Sequence, residues 1–141
     1  NYFKAALCAN CHSIKGVGRN IGPELSQVGT RFSVSDLAEA IIDPSSTISD
    51  RYRNTNYHLE DGRIITGKMI EEEQGFLQIS TNAFSPDLKT RINKNRIAKK
   101  EESLISAMPP GLINRFNEQE LTDLIAFLVS GGDRNNKIYK K

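Results

Sequence analysis

The two cysteines of the chain, Cys8 and Cys11, lie near its start and only three positions apart. A disulfide between such close neighbours closes a very short loop, so it cannot brace a fold of 141 residues. The roles left for the pair are a redox couple, part of a metal site, or an attachment point for a cofactor. The residues around the pair favour one of these roles.

His12 directly follows the second cysteine, so the segment reads C-x-x-C-H, a pattern typical of covalent haem attachment. Two thiols at this spacing on one helical turn can each reach one vinyl group of a porphyrin. The next residue then lies under the iron as an axial ligand. The sequence therefore predicts one covalently attached haem c, bound through Cys8 and Cys11, with His12 as a ligand of the metal.

Other roles for this segment fit less well. A thioredoxin-like pair expects a βαβ context, which the sequence pattern lacks. A structural zinc site needs four ligands, and adjacent Cys11 and His12 are awkwardly placed to share one metal with the distant His58. The glycine-rich segment 16–25 is one residue longer than the dinucleotide-binding pattern. We interpret it as a loop whose backbone can lie close to a flat ring.

Three helices are predicted outside the middle of the chain. The first covers residues 2–10. The second begins at a capping box over 33–36 and ends at Asp43-Pro44, and the third begins at a capping box over 117–120 and ends at Gly131-Gly132. Apolar residues at helical spacing give each helix a buried face: Phe3, Ala6 and Leu7; Leu37, Ala38, Ile41 and Ile42; Leu121, Leu124, Ile125, Leu128 and Val129.

Met108 lies in an irregular segment directly before two prolines. A lone methionine usually fills a core. Here the prolines restrict the backbone and would present the thioether in a set position, which favours Met108 as a second ligand of the iron. Two rivals lie in the middle of the chain: His58, whose pattern suits a surface or packing residue better, and Met69, which we interpret as sheet core.

The order of these features resembles a class I c-type cytochrome over residues 1–50 and 103–133. The resemblance implies a mainly α cytochrome c fold, with about four helices around a haem. It implies that the Pro23 carbonyl accepts a hydrogen bond from His12, and that Met108 is the distal ligand. It also implies that the first and last helices pack together, with the expected contacts Phe3, Leu7, Leu124 and Leu128.

Residues 51–102 depart from that family's usual pattern. With the flanking segments, they make the whole chain similar to the haem-binding C-x-x-C-H domains at the ends of large planctomycete and verrucomicrobial proteins, where the insertion is β-rich. Read alone, the insertion predicts a small antiparallel sheet or partly closed barrel. Its five predicted strands are 52–59, 64–70, 76–81, 88–93 and 96–100. We therefore expect a haem-binding core (1–50 and 103–133), a β-rich insertion (51–102) and a polar tail (134–141).

The insertion carries an acidic tip at Glu71–Glu73 and a basic stretch. The basic residues are Lys89, Arg91, Lys94, Arg96, Lys99 and Lys100. The simpler interpretation is a solvated strand edge and turn, where charge discourages edge pairing. The other is a docking surface for a redox partner. Four arginines are candidates to pair with the haem propionates, and the sequence does not choose among Arg19, Arg31, Arg51 and Arg53.

Composition excludes some functions. The chain has 19 basic and 17 acidic side chains, a balance that does not suit a nucleic-acid binder relying on bulk charge. No apolar run approaches the roughly 18 residues of a membrane span. No catalytic constellation is evident either, because His12 is assigned to the iron and nothing supports a triad at His58.

The expected function is electron transfer, not enzymatic catalysis. Thioether ligation favours ferrous iron, and a six-coordinate iron has no vacant position for substrate. The resemblance implies a redox partner protein or a fused dehydrogenase-like module as electron donor, and a periplasmic or other extracytoplasmic location. The chain is expected to be either such a terminal domain or a small shuttle whose leader was removed.

Two alternatives stay open. In one, the sixth position is open or labile, and the protein is a haem peroxidase or a sensor of small ligands. In the other, the haem is mainly structural and the β insertion is an interaction module. The oligomeric state is not indicated by the sequence.

Overall fold

The computed structural model describes residues 1–140 and divides into two compact units. The first, here called the terminal unit, contains Asn1–Thr47 and the chain from Pro109 onward. The second, here called the β unit, contains Ile48–Met108. Each unit has buried apolar residues of its own.

The terminal unit combines short helices with one small hairpin. Its helices are α1 (Tyr2–Ala5), α2 (Val28–Arg31), α3 (Val34–Ile42) and α4 (Glu118–Val129), with 3-10 turns at Cys8–Asn10 and Lys137–Tyr139. The hairpin is formed by β1 (Ser13–Ile14) and β2 (Val17–Gly18), which pair antiparallel.

Both predicted capping boxes are confirmed. At the start of α3, Ser33 Oγ accepts from the Asp36 backbone N at 3.1 Å, and the Asp36 carboxylate accepts from the Ser33 N at 2.9 Å. Asn117 and Glu120 make the same reciprocal pair at the start of α4, each at 2.9 Å. These contacts satisfy backbone N–H groups that the first helical turn leaves without partners.

The core of the terminal unit lies between α1 and α4. Phe3, Ala6 and Leu124 are almost fully buried, and the Phe3 ring centre lies 5.5 Å from that of Phe127. Leu7 was also expected in this core, but it is 47% exposed, so that prediction is wrong. The reason is its left-handed backbone (φ 62°), which ends the predicted helix and turns the side chain outward.

The β unit is a five-stranded antiparallel sheet with strand order β6-β5-β4-β3-β7. The strands are β3 (Thr55–Leu59), β4 (Ile64–Glu73), β5 (Phe76–Ser80), β6 (Lys89–Asn93) and β7 (Ile97–Glu102). Gly62 and Gly75 take positive φ values of 88° and 83° in the hairpin turns on either side of β4, a conformation that glycine adopts without steric cost. A 3-10 turn at Asp50–Tyr52 precedes the sheet.

The two edge strands of the sheet in the β unit, β6 and β7, are consecutive in the chain. They are joined only by the 3-10 turn Lys94–Arg96, so their adjacent ends lie within about 14 Å of each other. The apolar core of the unit consists of Tyr57, Leu59, Leu77, Ile79 and Ile92, with Ile65 and Ile97 packed against it. The predicted small antiparallel sheet is confirmed, and its closure into a barrel stays a prediction.

The predicted mainly α fold is wrong. The chain is mixed: 29% of it is helical, and it contains the five-stranded sheet as well as the two-stranded one. The helices that form are short, because α1 stops before Leu7, α2 has only four residues, and much of the terminal unit is loop. The capping boxes mark where α3 and α4 begin, but they do not determine how much of the chain is helical.

Met69 was interpreted as sheet core, and this prediction is also wrong. Its side chain is 45% exposed. The pairing of β4 with β5 shifts register between Met69 and Glu71, so one residue is added on the β4 side. A bulge of this kind interrupts the strict alternation of inward and outward side chains on which the prediction depended.

The longest helix, α4, has 12 residues. Within residues 1–140, no helix has both the length and the apolar character that crossing a bilayer requires.

Candidate functional site

The C-x-x-C-H segment folds as one tight turn. The Cys8 carbonyl accepts hydrogen bonds from the backbone N of Cys11 at 3.1 Å and of His12 at 2.8 Å. The left-handed Leu7 comes directly before this turn and gives the chain a new direction at Cys8. A left-handed conformation costs a non-glycine residue about 1–2 kcal/mol, and such strain is common next to functional sites.

Both cysteines are free thiols and are partly buried. Burial raises the pKa of Cys8 to about 11. Burial also raises the pKa of Cys11, against the opposing effect of the nearby Arg19 charge. The attacking cysteine in thiol–disulfide exchange has a lowered pKa, whereas burial raises the pKa of both thiols here.

The His12 ring has a fixed orientation. Its Nδ1 lies 2.7 Å from the Pro23 carbonyl oxygen, and a carbonyl only accepts, so Nδ1 carries the proton. Burial lowers the pKa of His12, partly offset by this same hydrogen bond. The result is a neutral imidazole whose Nε2 lone pair is available, the form in which histidine binds a metal.

The glycine-rich loop folds back onto the motif and carries Pro23 to His12. Backbone N–H groups of Ile21 and Gly22 donate to the Cys11 carbonyl at 2.9 and 2.7 Å, and Arg19 N donates to Ala9 O at 3.1 Å. Two backbone contacts on one carbonyl hold this part of the loop against the turn that bears the cysteines.

Gly22 lies directly against the His12 imidazole. A Cβ added at Gly22 would be 2.8 Å from His12 Cε1 and 3.0 Å from Nδ1. A Cβ at Gly18 would lie 2.1 Å from the His12 carbonyl oxygen. The sequence did not predict this contact of the loop with the imidazole, and a loop backbone close to a cofactor ring stays a prediction. The Gly-Pro pair is the signal for this turn, whereas nothing in the sequence marks Leu7.

The structure brings Cys8, Cys11, His12 and Pro23 together within the terminal unit. Met108 is the last residue of the β unit and precedes Pro109 in the chain. It is half-buried, and its backbone N donates to Ser106 Oγ at 3.1 Å. Its role as an iron ligand stays a prediction.

The other candidates from the sequence lie elsewhere. His58 on β3 makes a hydrogen bond from its Nε2 to Glu101 Oε1 at 2.5 Å. Among the four arginines, Arg19 is the one whose charge acts on the motif, through Cys11. The remaining three have local contacts: Arg31 over Phe32, Arg51 over Tyr52, and Arg53 with backbone carbonyls of the β unit.

The acidic tip and the basic stretch of the β unit partly neutralise each other. Lys94 pairs with Glu72 at 2.5 Å and Arg91 with Glu73 at 3.3 Å. The Arg91 guanidinium also lies 3.8 Å from the centre of the Phe76 ring. These contacts favour the simpler interpretation, a solvated strand edge and turn.

Over residues 1–140, side chains of His, Cys, Asp and Glu form no group of three or more placed to hold a metal ion. No protein-family model matches the chain, and no curated protein is similar enough to count as a relative. The function is therefore argued from the site itself.

Proposed function

We propose that this chain is an electron-transfer protein of the c type. In this proposal Cys8 and Cys11 would attach one haem c through thioether bonds, and His12 would bind its iron. The observation that carries the proposal is the hydrogen bond from His12 Nδ1 to the Pro23 carbonyl, 2.7 Å long, beside a C-x-x-C-H turn. That contact leaves the Nε2 lone pair available to a metal and restricts the ring orientation.

The residues around the motif suit a flat apolar cofactor. The two cysteines are free thiols, as addition to vinyl groups requires. Large apolar side chains next to the motif are also exposed, among them Leu7 and Val17. Exposed apolar surface is costly, and covering it with a bound ring would remove that cost.

Haem iron supplies one-electron chemistry between its ferric and ferrous states. The chain's own contribution is orientation. The Pro23 carbonyl holds the His12 proton on Nδ1, Gly22 leaves no room for the imidazole to move toward the loop, and the hydrogen bonds to Cys11 O hold the loop in place.

Met108 is proposed as the second protein ligand of the iron, because Pro109 and Pro110 restrict the backbone that presents it. A thioether there would favour the ferrous state and fill the sixth position. A filled sixth position supports electron transfer over catalysis. The proposed electron donor is a redox partner protein or a fused dehydrogenase-like module, and the proposed location is periplasmic or otherwise extracytoplasmic, where c-type haem is attached.

The test is an absorption spectrum of the chain after export in a host with haem-attachment machinery. We expect haem that stays bound under denaturing conditions, and its loss when Cys8 and Cys11 are both replaced by alanine. The ferric protein should show the weak far-red band of Met-ligated haem. Met108→Ala should abolish that band, and the control Met69→Ala, at the exposed methionine, should keep it.

Several results would contradict the proposal. Absence of haem in the wild type rejects it entirely. A high-spin ferric spectrum supports the peroxidase or sensor alternative. A low-spin spectrum without the far-red band, converted to high spin by His58→Val, moves the sixth ligand to His58.

A further inference from the structure

The segment that carries Met108 leaves strand β7 at Glu102 and continues to Pro109. The apolar side chains at its start do not attach it to the β unit, because Leu104 is 80% exposed and Ile105 is 72% exposed. The contacts that attach the start of this segment are polar.

Ser103 is the first point of attachment. It is only 2% exposed, and its backbone N donates to the Asn54 carbonyl at 2.9 Å. Its hydroxyl accepts from Ile105 N at 3.2 Å and lies 3.3 Å from Ile105 O, to which it donates. These bonds fix the chain at residue 103 and shape the two residues that follow.

Arg53 is the second point of attachment. Its guanidinium donates from Nη1 to Ser103 O at 3.3 Å and from Nη2 to Ile48 O at 3.1 Å. It therefore bridges the segment of chain that enters the β unit and the segment that leaves it. Two carboxylates flank its Nε, Asp50 of the entering segment at 3.6 Å and Glu102 at the end of β7 at 3.8 Å.

The Nε–H of Arg53 is buried and has no hydrogen-bond acceptor among residues 1–140. A buried N–H without an acceptor is unfavourable, so other contacts of Arg53 must offset the cost of burying it. Its position follows from the two carbonyls that it bridges and from the two carboxylates beside it. A lysine could not contact both carbonyls from one planar group.

We propose that Arg53 is a positioning residue, which acts through Ser103 to fix segment 103–108 and hence Met108. This inference rests on the proposed function, in which Met108 binds the iron. Met108 is five residues from Ser103, within about 17 Å of chain, so the attachment limits where the thioether can lie. On the other side, Pro109 and Pro110 restrict the backbone.

The first test is amide hydrogen exchange by NMR on the full chain as purified. In Arg53→Lys, the Ile105 and Met108 amides should exchange at least 10-fold faster than in wild type, while Ile79 in the centre of β5 should not change. The matched control is Arg63→Lys, an exposed arginine paired with Asp61 on a hairpin turn. Unchanged exchange at Ile105 and Met108, or equal acceleration at Ile79, overturns the proposal.

The second test uses the haem-bearing protein and cyanide. The far-red band reports Met108 on the iron, and its loss on adding cyanide reports how readily Met108 is displaced. We expect displacement at least 10-fold faster in Arg53→Lys than in wild type or Arg63→Lys. Equal rates overturn the positioning role. A wild type without haem or without the band contradicts the proposed function itself, and the exchange rates then show separately whether Arg53 attaches the segment.

Discussion

Replacing Gly22 with alanine perturbs the His12 site through a single added methyl group. Gly22 does not lie in the left-handed region, so alanine meets no backbone obstacle, only the imidazole 2.8 Å away at Cε1. Carbon atoms in ordinary contact are about 3.5–4.0 Å apart, so the ring has to move by roughly 0.7–1.2 Å. The 2.7 Å bond from Nδ1 to the Pro23 carbonyl would then stretch beyond hydrogen-bonding range.

The expected loss of stability has two parts. Forcing a methyl into a packed site costs about 1–3 kcal/mol, and losing the hydrogen bond costs about 0.5–1.5 kcal/mol. We therefore expect Gly22→Ala to lower the free energy of unfolding by about 2–4 kcal/mol. Urea denaturation followed by far-UV circular dichroism measures this, and the NMR signal of the His12 Nδ1 proton reports the hydrogen bond.

Gly16→Ala is the matched control in the same loop. An added Cβ at Gly16 meets no heavy atom of residues 1–140 within 4 Å, and its φ of +76° costs alanine about 1–2 kcal/mol of backbone strain. It should leave the His12 Nδ1 proton signal unchanged. If Gly22→Ala unfolds within about 0.5 kcal/mol of wild type and keeps that signal, the loop does not hold the imidazole and the reasoning fails.

Three further predictions concern elements outside the motif. Asn117→Ala should lower the free energy of unfolding by about 1 kcal/mol through loss of the α4 cap, measured by urea denaturation, while Gln119→Ala should have a smaller effect. Ile79→Ala removes a fully buried side chain and should cost about 2–5 kcal/mol in the same assay; a cost below 1 kcal/mol would contradict the packed interior of the β unit. The hydrogen bond from His58 holds the pKa of Glu101 below its usual range, so its stabilising effect is present above the ordinary glutamate pKa and is lost as the pH falls through the lowered value. In His58→Val, an NMR titration of the carboxyl carbon should show the Glu101 pKa rising, and an unchanged pKa would show that the contact has no electrostatic effect.

The sequence predicts the β unit well because its signals are local. The five strands begin and end within a few residues of their predicted bounds, since alternating apolar residues and turn glycines such as Gly62 and Gly75 mark them. The bulge after Met69 leaves no such mark, because it depends on which residues of β5 lie opposite. The pairing of β3 with β7 joins residues far apart in the chain, and no short pattern encodes it.

In the terminal unit, the sequence predicts where helices begin better than how far they extend. Capping side chains at Ser33 and Asn117 act on the next three residues, so the pattern is visible. Nothing in the side chain of Leu7 indicates its left-handed backbone. The helix predicted over residues 2–10 therefore continued through Leu7 and overstated the helical content of the chain. The C-x-x-C-H spacing is local and readable, whereas the contact between Gly22 and His12 depends on how the loop folds back.

The pairing of the first and last strands of the β unit affects the entropy of the whole chain. Thr55 lies opposite Glu102, and Asn54 O accepts from Ser103 N, so the two ends of the unit emerge side by side. Because its ends lie side by side, the folded β unit counts as a short loop between the two parts of the terminal unit. Its effective length is roughly one fifth of its residue count, which reduces the entropic cost of closing that loop by about 1–2 kcal/mol. A large insertion built in this way can therefore be carried between two helices at little more cost than an ordinary connection.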